Sequence, residues 1–314
     1  MRFSTTKNLL KCITIISFLH SNLSAQIKNN EIEDSLKYDM KDSIAKKSYL
    51  KFSTSYLTNY IYNGRRDSIT SPYITPLIGY FNKKGLNASF SGYYLNAAKQ
   101  RRFDFFSLDL NYVHEFNKKF AVSLLANRTF YDKSSTALSS DIRWNFGINV
   151  DYDLKFIELF VEGDAVISQK TDFALNLELL KEFSVENNDD EFKIAPAFDI
   201  NWSTLNYYEG YFNRKNGRKK STIINSVTTV DNNRFTLMDY EFSLPMSYET
   251  NQFVFFVTPT YVIPKNTITT TTVRTTSLNN SVINVVTYNS TTKIERELKQ
   301  TFFVEFGVYY KLDL

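Results

Sequence analysis

The feature that most constrains this chain is its last stretch, where every second residue is apolar. The apolar positions are Phe302, Val304, Phe306, Val308, Tyr310, Leu312 and Leu314. The positions between them include Glu305, Gly307, Lys311 and Asp313. Because successive side chains of a strand point to opposite faces, this period of two predicts a β-strand with one apolar and one polar face.

The same alternation recurs through most of the chain in segments of about 10–14 residues, the length expected of tilted membrane-spanning strands. The clearest apolar faces start at Phe106, Ile142, Ile157, Phe192 and Met238 and continue at every second residue. The first two segments, at about 49–62 and 72–82, alternate poorly, since Leu57 and Ile61 are out of phase with the neighbouring apolar residues.

The connections between these segments alternate between short and long. Turn residues predict short connections at 82–85, 117–119, 153–155, 186–191 and 249–252. The connections between those are mostly longer, at 63–71, 96–102, 132–140, 168–171, 203–234 and 264–300. Five short and six long connections predict twelve strands with both termini on the short-turn side, and bacterial membrane barrels have even strand numbers and this loop asymmetry.

The predicted fold is therefore all-β, a single antiparallel transmembrane barrel of about twelve strands. After residue 25 there is no apolar run of about 18 residues, so a membrane location requires a closed barrel. Two observations leave ten or fourteen strands open. Pro76, Pro196, Pro245 and Pro259 fall inside predicted strands, where each lacks an N–H for the ladder. Segment 264–300 is either a hairpin above the membrane or an additional strand pair.

The amino terminus has the pattern of a secretory signal peptide. Arg2 and Lys7 precede a mainly apolar stretch, and Ser24 and Ala25 form a small-residue cleavage site. The predicted organisation is a signal peptide at 1–25, a flexible periplasmic lead-in at 26–48 and a barrel at 49–314. Removing three basic residues with the leader changes 37 basic against 33 acidic residues to 34 against 33, which gives no reason to expect nucleic acid as a partner.

If the apolar faces contact lipid, the residues between them line the lumen. The acidic members of this set are Asp109, Asp141, Asp151, Glu158, Glu162, Asp164, Asp172, Glu178, Asp199, Asp239, Glu241 and Glu305. The basic members are Lys51, Arg143, Lys193 and Lys311. An acidic wall in a low-dielectric tube concentrates a negative potential and favours cations. The alternative is that these carboxylates are the solvated polar faces of strands, partly paired with one another.

The predicted long loops are basic instead. Their basic residues are Arg65, Arg66, Lys99, Arg101, Arg102, Arg214, Lys215, Arg218, Lys219 and Lys220. Such side chains bind the phosphates of lipopolysaccharide, so outer-membrane lipid and lipopolysaccharide are the expected partners on that side. The alternative is a generic solvated loop surface.

Catalytic chemistry is hard to assemble from this sequence. Cys12 leaves with the leader, and His114 lies near the predicted short turn at 117–119, so nucleophile systems based on Ser/His or Cys/His are disfavoured. Acid pairs such as Glu162 and Asp164 have the spacing that any acidic lumen face produces. The sequence contains no calcium-loop spacing and no phosphate-binding glycine pattern. We therefore expect no enzyme activity, no metal site and no cofactor.

Two resemblances extend this reading. The tail residues Glu305, Gly307, Tyr310 and Leu312 resemble the barrel-assembly signal of Gram-negative outer-membrane β-barrel proteins, although Leu314 replaces the usual terminal aromatic residue. The segment 59–66, followed by Pro72 and 84–86, resembles the start of TorF-type porins. The resemblance implies insertion by the barrel-assembly machinery and an outer-membrane location with both termini in the periplasm.

Two functions remain open from the sequence. The first is a passive porin-like channel for small solutes or cations, whose selectivity is set by lumen carboxylates. The second is a closed barrel with a filled lumen, acting through loops 203–234 and 264–300 as an adhesion, surface-binding or envelope-structural protein. The acidic lumen favours the first function and the Thr-rich outer loop favours the second.

Overall fold

The structure is a computed structural model of the chain. It describes residues 47–66, 70–98, 100–135, 137, 139, 141–187, 190–204, 206, 223–230, 234–265, 269–278, 281–291 and 299–314. The predicted signal peptide and nearly all of the predicted lead-in lie outside these residues. Within the described ranges no helix is long and apolar enough to cross a membrane.

All regular structure in the described residues is β-strand. The strands near the amino terminus are β1 (Tyr49–Leu57), β2 (Ile61–Tyr62), β3 (Arg65–Arg66), β4 (Tyr73–Phe81), β5 (Leu86–Ala97), β6 (Gln100–Asn117) and β7 (Phe120–Tyr131). The central strands are β8 (Trp144–Asp153), β9 (Glu158–Ile167), β10 (Thr171–Leu180), β11 (Phe183–Asn187), β12 (Asp190–Ile194) and β13 (Ala197–Ser203). The remaining strands are β14 (Ile223–Val230), β15 (Thr236–Ser243), β16 (Met246–Thr250), β17 (Phe253–Pro264), β18 (Thr269–Leu278), β19 (Ser281–Thr291) and β20 (Thr301–Asp313).

The main sheet closes on itself into an antiparallel barrel. Its order is β20-β1-β4-β5-β6-β7-β8-β9-β10-β13-β15-β17, and β17 pairs back with β20. The shorter strands β11, β12 and β16 continue β10, β13 and β15 towards the short turns, so each of these pairs is one interrupted barrel strand. The ring therefore has twelve strands, which confirms the predicted fold class and strand number.

The carboxyl-terminal strand completes the ring. β20 pairs with β1 from Tyr49–Asp313 to Leu57–Glu305, and on its other side it pairs with β17. The apolar face predicted from the tail is the outward one, since Phe306 and Leu312 are exposed whereas Phe303 and Tyr309 are buried. The first and last barrel strands thus satisfy each other's backbone groups, and neither leaves an open edge within the paired segment.

Apolar side chains cover the outside of the barrel and polar side chains fill its inside, the reverse of their placement in a soluble protein. On β6, Leu108 and Leu110 are 41% and 48% exposed, whereas Asp109 between them is 6% exposed. The same arrangement holds on β8, where Ile148 is 49% and Asn149 is 1% exposed. An apolar exterior around a polar interior is the arrangement that a hydrocarbon surrounding requires. The chain therefore has the fold of a transmembrane barrel.

Three of the four prolines in predicted strands, Pro196, Pro245 and Pro259, lie along one seam of the barrel, whereas Pro76 lies in β4. Pro196 falls between β12 and β13, and Pro245 between β15 and β16. The strands stay in register across these prolines, because the carbonyl of each accepts a hydrogen bond from the neighbouring strand. Lys181 N donates to Pro196 O at 3.1 Å, Ala195 N to Pro245 O at 2.9 Å and Leu244 N to Pro259 O at 3.0 Å.

A second sheet lies outside the ring. β14, β18 and β19 form a three-stranded antiparallel sheet of their own, in the order β14-β18-β19. The described strands of segment 264–300, β18 and β19, thus form a hairpin that is joined by β14 from the 203–234 connection. They do not enter the ring, so the alternative of fourteen strands is wrong.

Four local expectations differ from the structure. The connection predicted at 96–102 is reduced to residues 98 and 99, because β5 and β6 extend as a longer hairpin. Leu57 is buried on the inner face of β1, which explains why it is out of phase with the outward apolar residues of that strand. Ile142 precedes β8 and is 4% exposed, so it does not face lipid. Met238 is 1% exposed at a bulge, where the β13–β15 register passes from Asn201–Asp239 to Trp202–Leu237.

Candidate functional site

The first long connection folds back into the barrel as a small hairpin. Loop L1 (residues 58–72) contains β2 and β3, whose turn residues Asn63 and Gly64 both have positive φ, at 49° and 68°. Asn-Gly with both residues in the left-handed region is the sequence that a tight type I′ hairpin prefers. The local sequence therefore encodes a sharp reversal at the tip of L1.

L1 carries apolar side chains that are buried among inner-face residues of the barrel wall. Tyr60 is 5% and Ile61 0% exposed. They belong to one cluster, the mouth cluster, whose members are Leu57, Tyr60, Ile61, Tyr73, Tyr93, Leu95, Phe105, Ala137, Val262 and Phe303. All of its strand residues lie towards the long-loop end. The mouth cluster thus closes the lumen at that end with a hydrophobic core.

The tip of L1 reaches the opposite wall. A Cβ placed on Gly64 would lie 2.9 Å from both Cβ and Oδ2 of Asp239 on β15. The ring of Tyr60 packs 5.9 Å from that of Phe105 on β6. Because β6 and β15 are separated by other strands in both directions around the ring, a loop that contacts both lies across the lumen.

Polar anchors hold this arrangement. Tyr60 Oη lies 2.7 Å from Ser139 Oγ, and the Ser71 N–H donates to Asn59 Oδ1 at 2.7 Å, which ties the two ends of L1 together. Asp104 is 0% exposed and accepts from Tyr73 Oη at 2.7 Å and from the Arg102 guanidinium at 2.7 Å. Burial, and then the proximity of Tyr131, raises the pKa of the Tyr60 hydroxyl well above its ordinary value, so it stays a neutral hydrogen-bonding group.

A row of polar side chains crosses six neighbouring strands below L1. Cross-strand pairs link Ser123, Asn149, Glu162, Asn176, Asn201 and Asp239 in that order. All six are at most 5% exposed. We call this set the polar row. Its members belong to β7, β8, β9, β10, β13 and β15, so it covers about half of the inner wall.

Hydrogen bonds along the polar row run in one direction. Asn176 Nδ2 donates to Asn201 Oδ1 at 2.8 Å and to Asp199 Oδ1 at 3.1 Å. Asn201 Nδ2 in turn donates to Asp239 Oδ1 and, at 3.4 Å, to Glu241 Oε1. A carboxylate only accepts, so these contacts fix the amide orientations. The asparagines thereby hold the carboxylates of β13 and β15 in place.

Asparagines hold the other acids in the same way. Asp109 accepts from Asn127 Nδ2, from Ser107 Oγ at 3.3 Å and from Ser89 Oγ at 3.4 Å. Asp164 accepts from Asn145 Nδ2 at 3.2 Å. Each of these contacts gives a lumen carboxylate oxygen a hydrogen-bond donor. The lumen is therefore a network of carboxylates and amides with little space accessible to water.

The structure places the predicted lumen carboxylates in three groups. Asp109, Glu162, Asp172, Glu178, Asp199, Asp239 and Glu241 are at most 6% exposed. Asp151, Glu158, Asp164 and Glu305 are half-buried on the same inner faces. Asp141 lies in the connection before β8 and is not part of a strand wall. The sequence pattern therefore brings most of these residues together inside the barrel.

Few positive charges accompany them. Lys51 is 3% exposed, with Nζ 4.1 Å from the centre of the Tyr309 ring, at the short-turn end of the lumen. Lys193 pairs with Glu191 at 3.4 Å and Lys311 with Glu249 at 3.3 Å, in the same region. Arg143, predicted to line the lumen, is instead exposed beside the start of β8.

The predicted basic loop surface is only partly described. Arg101 is exposed and Arg102 is half-buried against Asp104. Arg65 was expected at the surface, but it is 0% exposed, because L1 turns inward. The side chain of Arg66 lies outside the described residues, as do Lys99, Arg214, Lys215, Arg218, Lys219 and Lys220.

The inward asparagines of the strands and the inward fold of L1 were not predicted from the sequence. Asn111, Asn127, Asn145, Asn149, Asn176 and Asn201 all occupy the polar phase of alternating strands, and this pattern was a usable signal. The Asn63-Gly64 pair was a usable turn signal as well. His114 is exposed on the outer face of β6, with its ring 4.7 Å from that of Phe116, and so lies away from the lumen carboxylates.

Comparisons with known proteins give only a likeness of fold. No family model matches the chain, and no curated protein matches it. A solved KdgM porin is similar at 9% identity and a TM-score of 0.43, over 84% of this chain and 98% of that one. A NanC porin is similar at 12% identity and a TM-score of 0.43, over 84% and 100%. LpxR from Salmonella typhimurium is similar at 8% identity and a TM-score of 0.42, over 83% and 99%. The TorF-type resemblance stays a prediction.

Proposed function

We propose that this protein is a passive, cation-preferring channel of the outer membrane, closed by L1 in the conformation described. The observation that carries the proposal is the charge of the inner wall. Eight strand carboxylates at most 6% exposed, Asp104 among them, face two comparably buried basic side chains, Lys51 and Arg65. A low-dielectric tube with this balance concentrates a negative potential, which attracts cations and repels anions.

The buried acids also argue against a purely structural filling. Burying a carboxylate is expensive even when it is hydrogen-bonded, and apolar or neutral polar side chains fill a closed barrel at lower cost. The chain instead buries carboxylates on β6, β9, β10, β13 and β15, and asparagine amides donate to those of β6, β13 and β15. A function that uses negative charge explains why these carboxylates are kept in the lumen despite the energetic cost of burying them.

Passage through the barrel requires L1 to move. Ile61 and Arg65 in L1 are 0% exposed, and Gly64 contacts Asp239 across the lumen. At the short-turn end Tyr49 stacks on Phe81 at 4.9 Å next to Lys51. The described conformation is accordingly the closed one, and conduction follows displacement of L1 from the mouth cluster.

The test is a planar-bilayer recording of the mature chain under a KCl gradient. We expect discrete current steps and a reversal potential whose sign shows that K⁺ permeates better than Cl⁻. Neutralising Asp239→Asn and Glu241→Gln, or Glu162→Gln and Asp164→Asn, reduces cation selectivity. The charge-matched control is Glu186→Gln, an exposed residue near a short turn, which leaves selectivity unchanged.

Two outcomes contradict the proposal. Anion-selective steps leave a channel but reject the lumen carboxylates as its filter. A correctly folded barrel that stays silent even when L1 is destabilised rejects the channel.

We also propose an orientation, with the long-loop end outside the cell and both termini in the periplasm, as in bacterial barrels with short periplasmic turns. The basic loop residues then face lipopolysaccharide. Protease treatment of intact cells tests this. Cleavage confined to 203–234 and 264–300 supports it, whereas cleavage at 117–119 reverses it.

A second candidate function rests on the outer sheet. The strands β14, β18 and β19 contain a single charged residue, Arg274, and the edge strands β14 and β19 pair with no further strand among the described residues. Natural proteins usually protect edges with charge or proline, and unprotected edges accept extended peptides. A surface-binding role by strand addition fits this sheet.

Deleting the hairpin at 269–291 separates the two functions. Loss of surface binding with conductance retained supports the second function. Loss of conductance with a folded barrel indicates that the hairpin serves the channel instead.

A further inference from the structure

Asn149 is a member of the polar row whose side-chain amide makes no hydrogen bond to the described residues. It is 1% exposed and faces the lumen, yet neither Nδ2 nor Oδ1 has a hydrogen-bond partner among the described residues. Burying a polar group without a hydrogen bond is destabilising, so an unpartnered buried amide calls for a specific explanation, and a bound ion or water is one. Asn149 is directly opposite Glu162 in the β8–β9 register.

The other neighbour of Glu162 presents an acceptor. Asn176 is directly opposite Glu162 in the β9–β10 register. Its Nδ2 is committed to Asn201 and Asp199 on β13, on the side away from β9. With Nδ2 held on the β13 side, the amide can present its Oδ1 on the β9 side, where Glu162 lies.

We infer that Asn149, Glu162 and Asn176 form a binding site for a single monovalent metal cation, Na⁺ or K⁺, in the lumen wall. The inference rests on the proposed channel for its role, and it names the ions that the channel would hold. Hard cations prefer carboxylate and carbonyl oxygens, and these three side chains can supply both kinds. The amide of Asn149 turns its Oδ1 to the ion, which gives that buried oxygen a partner.

The charge of the site selects a monovalent ion. Glu162 supplies one negative charge, and the other two ligands are neutral. Among the described residues no group of three or more His, Cys, Asp or Glu side chains is placed to hold a metal. Divalent cations in proteins are held by several carboxylates, so this site suits an ion of single charge.

The site lies where a permeating ion would rest. The polar row continues from Glu162 through Asn201 to Asp239, next to the tip of L1. An ion at Glu162 thus lies on the same row of inward side chains as Asp239, the residue that the tip of L1 contacts. Conduction requires that an ion bind well enough to enter and weakly enough to leave, which a site with one carboxylate and two amides allows.

The test measures ion binding without current. The folded full-length barrel in detergent is thermally unfolded in KCl, in NaCl and in choline chloride at equal ionic strength. We expect a higher Tm in KCl or NaCl than in choline chloride, because a ligand that binds the folded state stabilises it. Asn149→Leu and Glu162→Gln abolish this difference, whereas Asn145→Leu, a control on the same strand face, retains it.

A second readout identifies the ion directly. Crystals of the wild-type barrel soaked in RbCl give an anomalous peak between Asn149 and Glu162, and Glu162→Gln crystals lack it. Equal Tm values in the three salts, or a Rb⁺ peak elsewhere only, overturn the site. Ion binding by a barrel that is silent in bilayers keeps the site and rejects the channel. Cation-selective current without binding keeps the channel and rejects the site.

Discussion

Truncating Ile61 in L1 to alanine is the perturbation that most sharply tests the closed lumen. Ile61 is 0% exposed and belongs to the mouth cluster with Leu57, Tyr73 and Phe105. Truncating a fully buried isoleucine to alanine costs about 2–5 kcal/mol. If these contacts form only while L1 is inside the barrel, the whole loss falls on the closed conformation. At about 1.4 kcal/mol for each tenfold change, the ratio of open to closed barrels then rises by about 30-fold to about 5,000-fold.

The assay is the open probability of single barrels in a planar bilayer, compared between wild type and Ile61→Ala. The matched control is Ile78→Ala on β4, which removes the same atoms from a side chain that is 47% exposed on the outer face. We expect long openings in Ile61→Ala and wild-type behaviour in Ile78→Ala. If Ile61→Ala inserts normally and its open probability equals that of wild type, L1 is not the closing element.

Three more expectations follow from the same geometry. Asn127→Leu removes a donor to the buried Asp109, so the free energy of unfolding in lipid vesicles, measured by urea titration, falls by about 1–3 kcal/mol. Leu108→Arg, at the centre of the outward face of β6, lowers the free energy of unfolding by about 2–4 kcal/mol in the same assay, while Phe116→Arg near the short turn lowers it by about 0–1 kcal/mol. Equal losses in the two variants argue against a membrane around the outward face of β6. Lys51→Gln removes a buried positive charge from the short-turn end, so the reversal potential of the opened channel shifts further towards cation selectivity, and an unchanged reversal potential argues that Lys51 lies away from the ion pathway.

The outer face of the barrel was predictable because lipid imposes one rule on it. Phe306 and Leu312 face outward, and the polar residues between them face inward, as their period of two required. The short connections were also predictable, because their sequences contain residues that favour tight turns. Asn82 N and Leu86 O bond at 3.2 Å across the first short turn, and Gly85 there has a positive φ of 87°.

The interior was less predictable, because two kinds of packing share it. Leu57 and Ile61 looked out of phase only under the assumption that inward residues are polar. Leu57 points inward from β1, and Ile61 belongs to L1, which brings apolar side chains into the lumen. The two residues are buried in the same cluster there. Arg65 was assigned to the surface on its charge, yet its loop turns inward. Nothing in the alternation of β1 or β4 reports that a loop fills the space between them.

Bulges account for another part of the discrepancy. Met238 was placed on the lipid face by strict alternation, but the register with β13 shifts between Asn201 and Trp202. One extra residue in a strand reverses the side of the next side chain. A shift of this kind depends on the partner strand and leaves no mark in the local sequence.

The measurement that tests the central claim most directly is a cross-link between L1 and the lumen wall. Residues 26–314 contain no cysteine, so Gly64→Cys and Asp239→Cys introduce a single pair, at positions whose Cβ atoms face each other across the contact at 2.9 Å. A relaxation of about 1 Å brings them to the Cβ separation of about 3.8 Å typical of a disulfide. The account predicts that the pair oxidises in the folded barrel, that the oxidised barrel is silent, and that reduction in the same bilayer releases cation-selective current. A pair that never forms in the folded barrel, or a current indifferent to reduction, contradicts the claim that L1 closes an acidic channel.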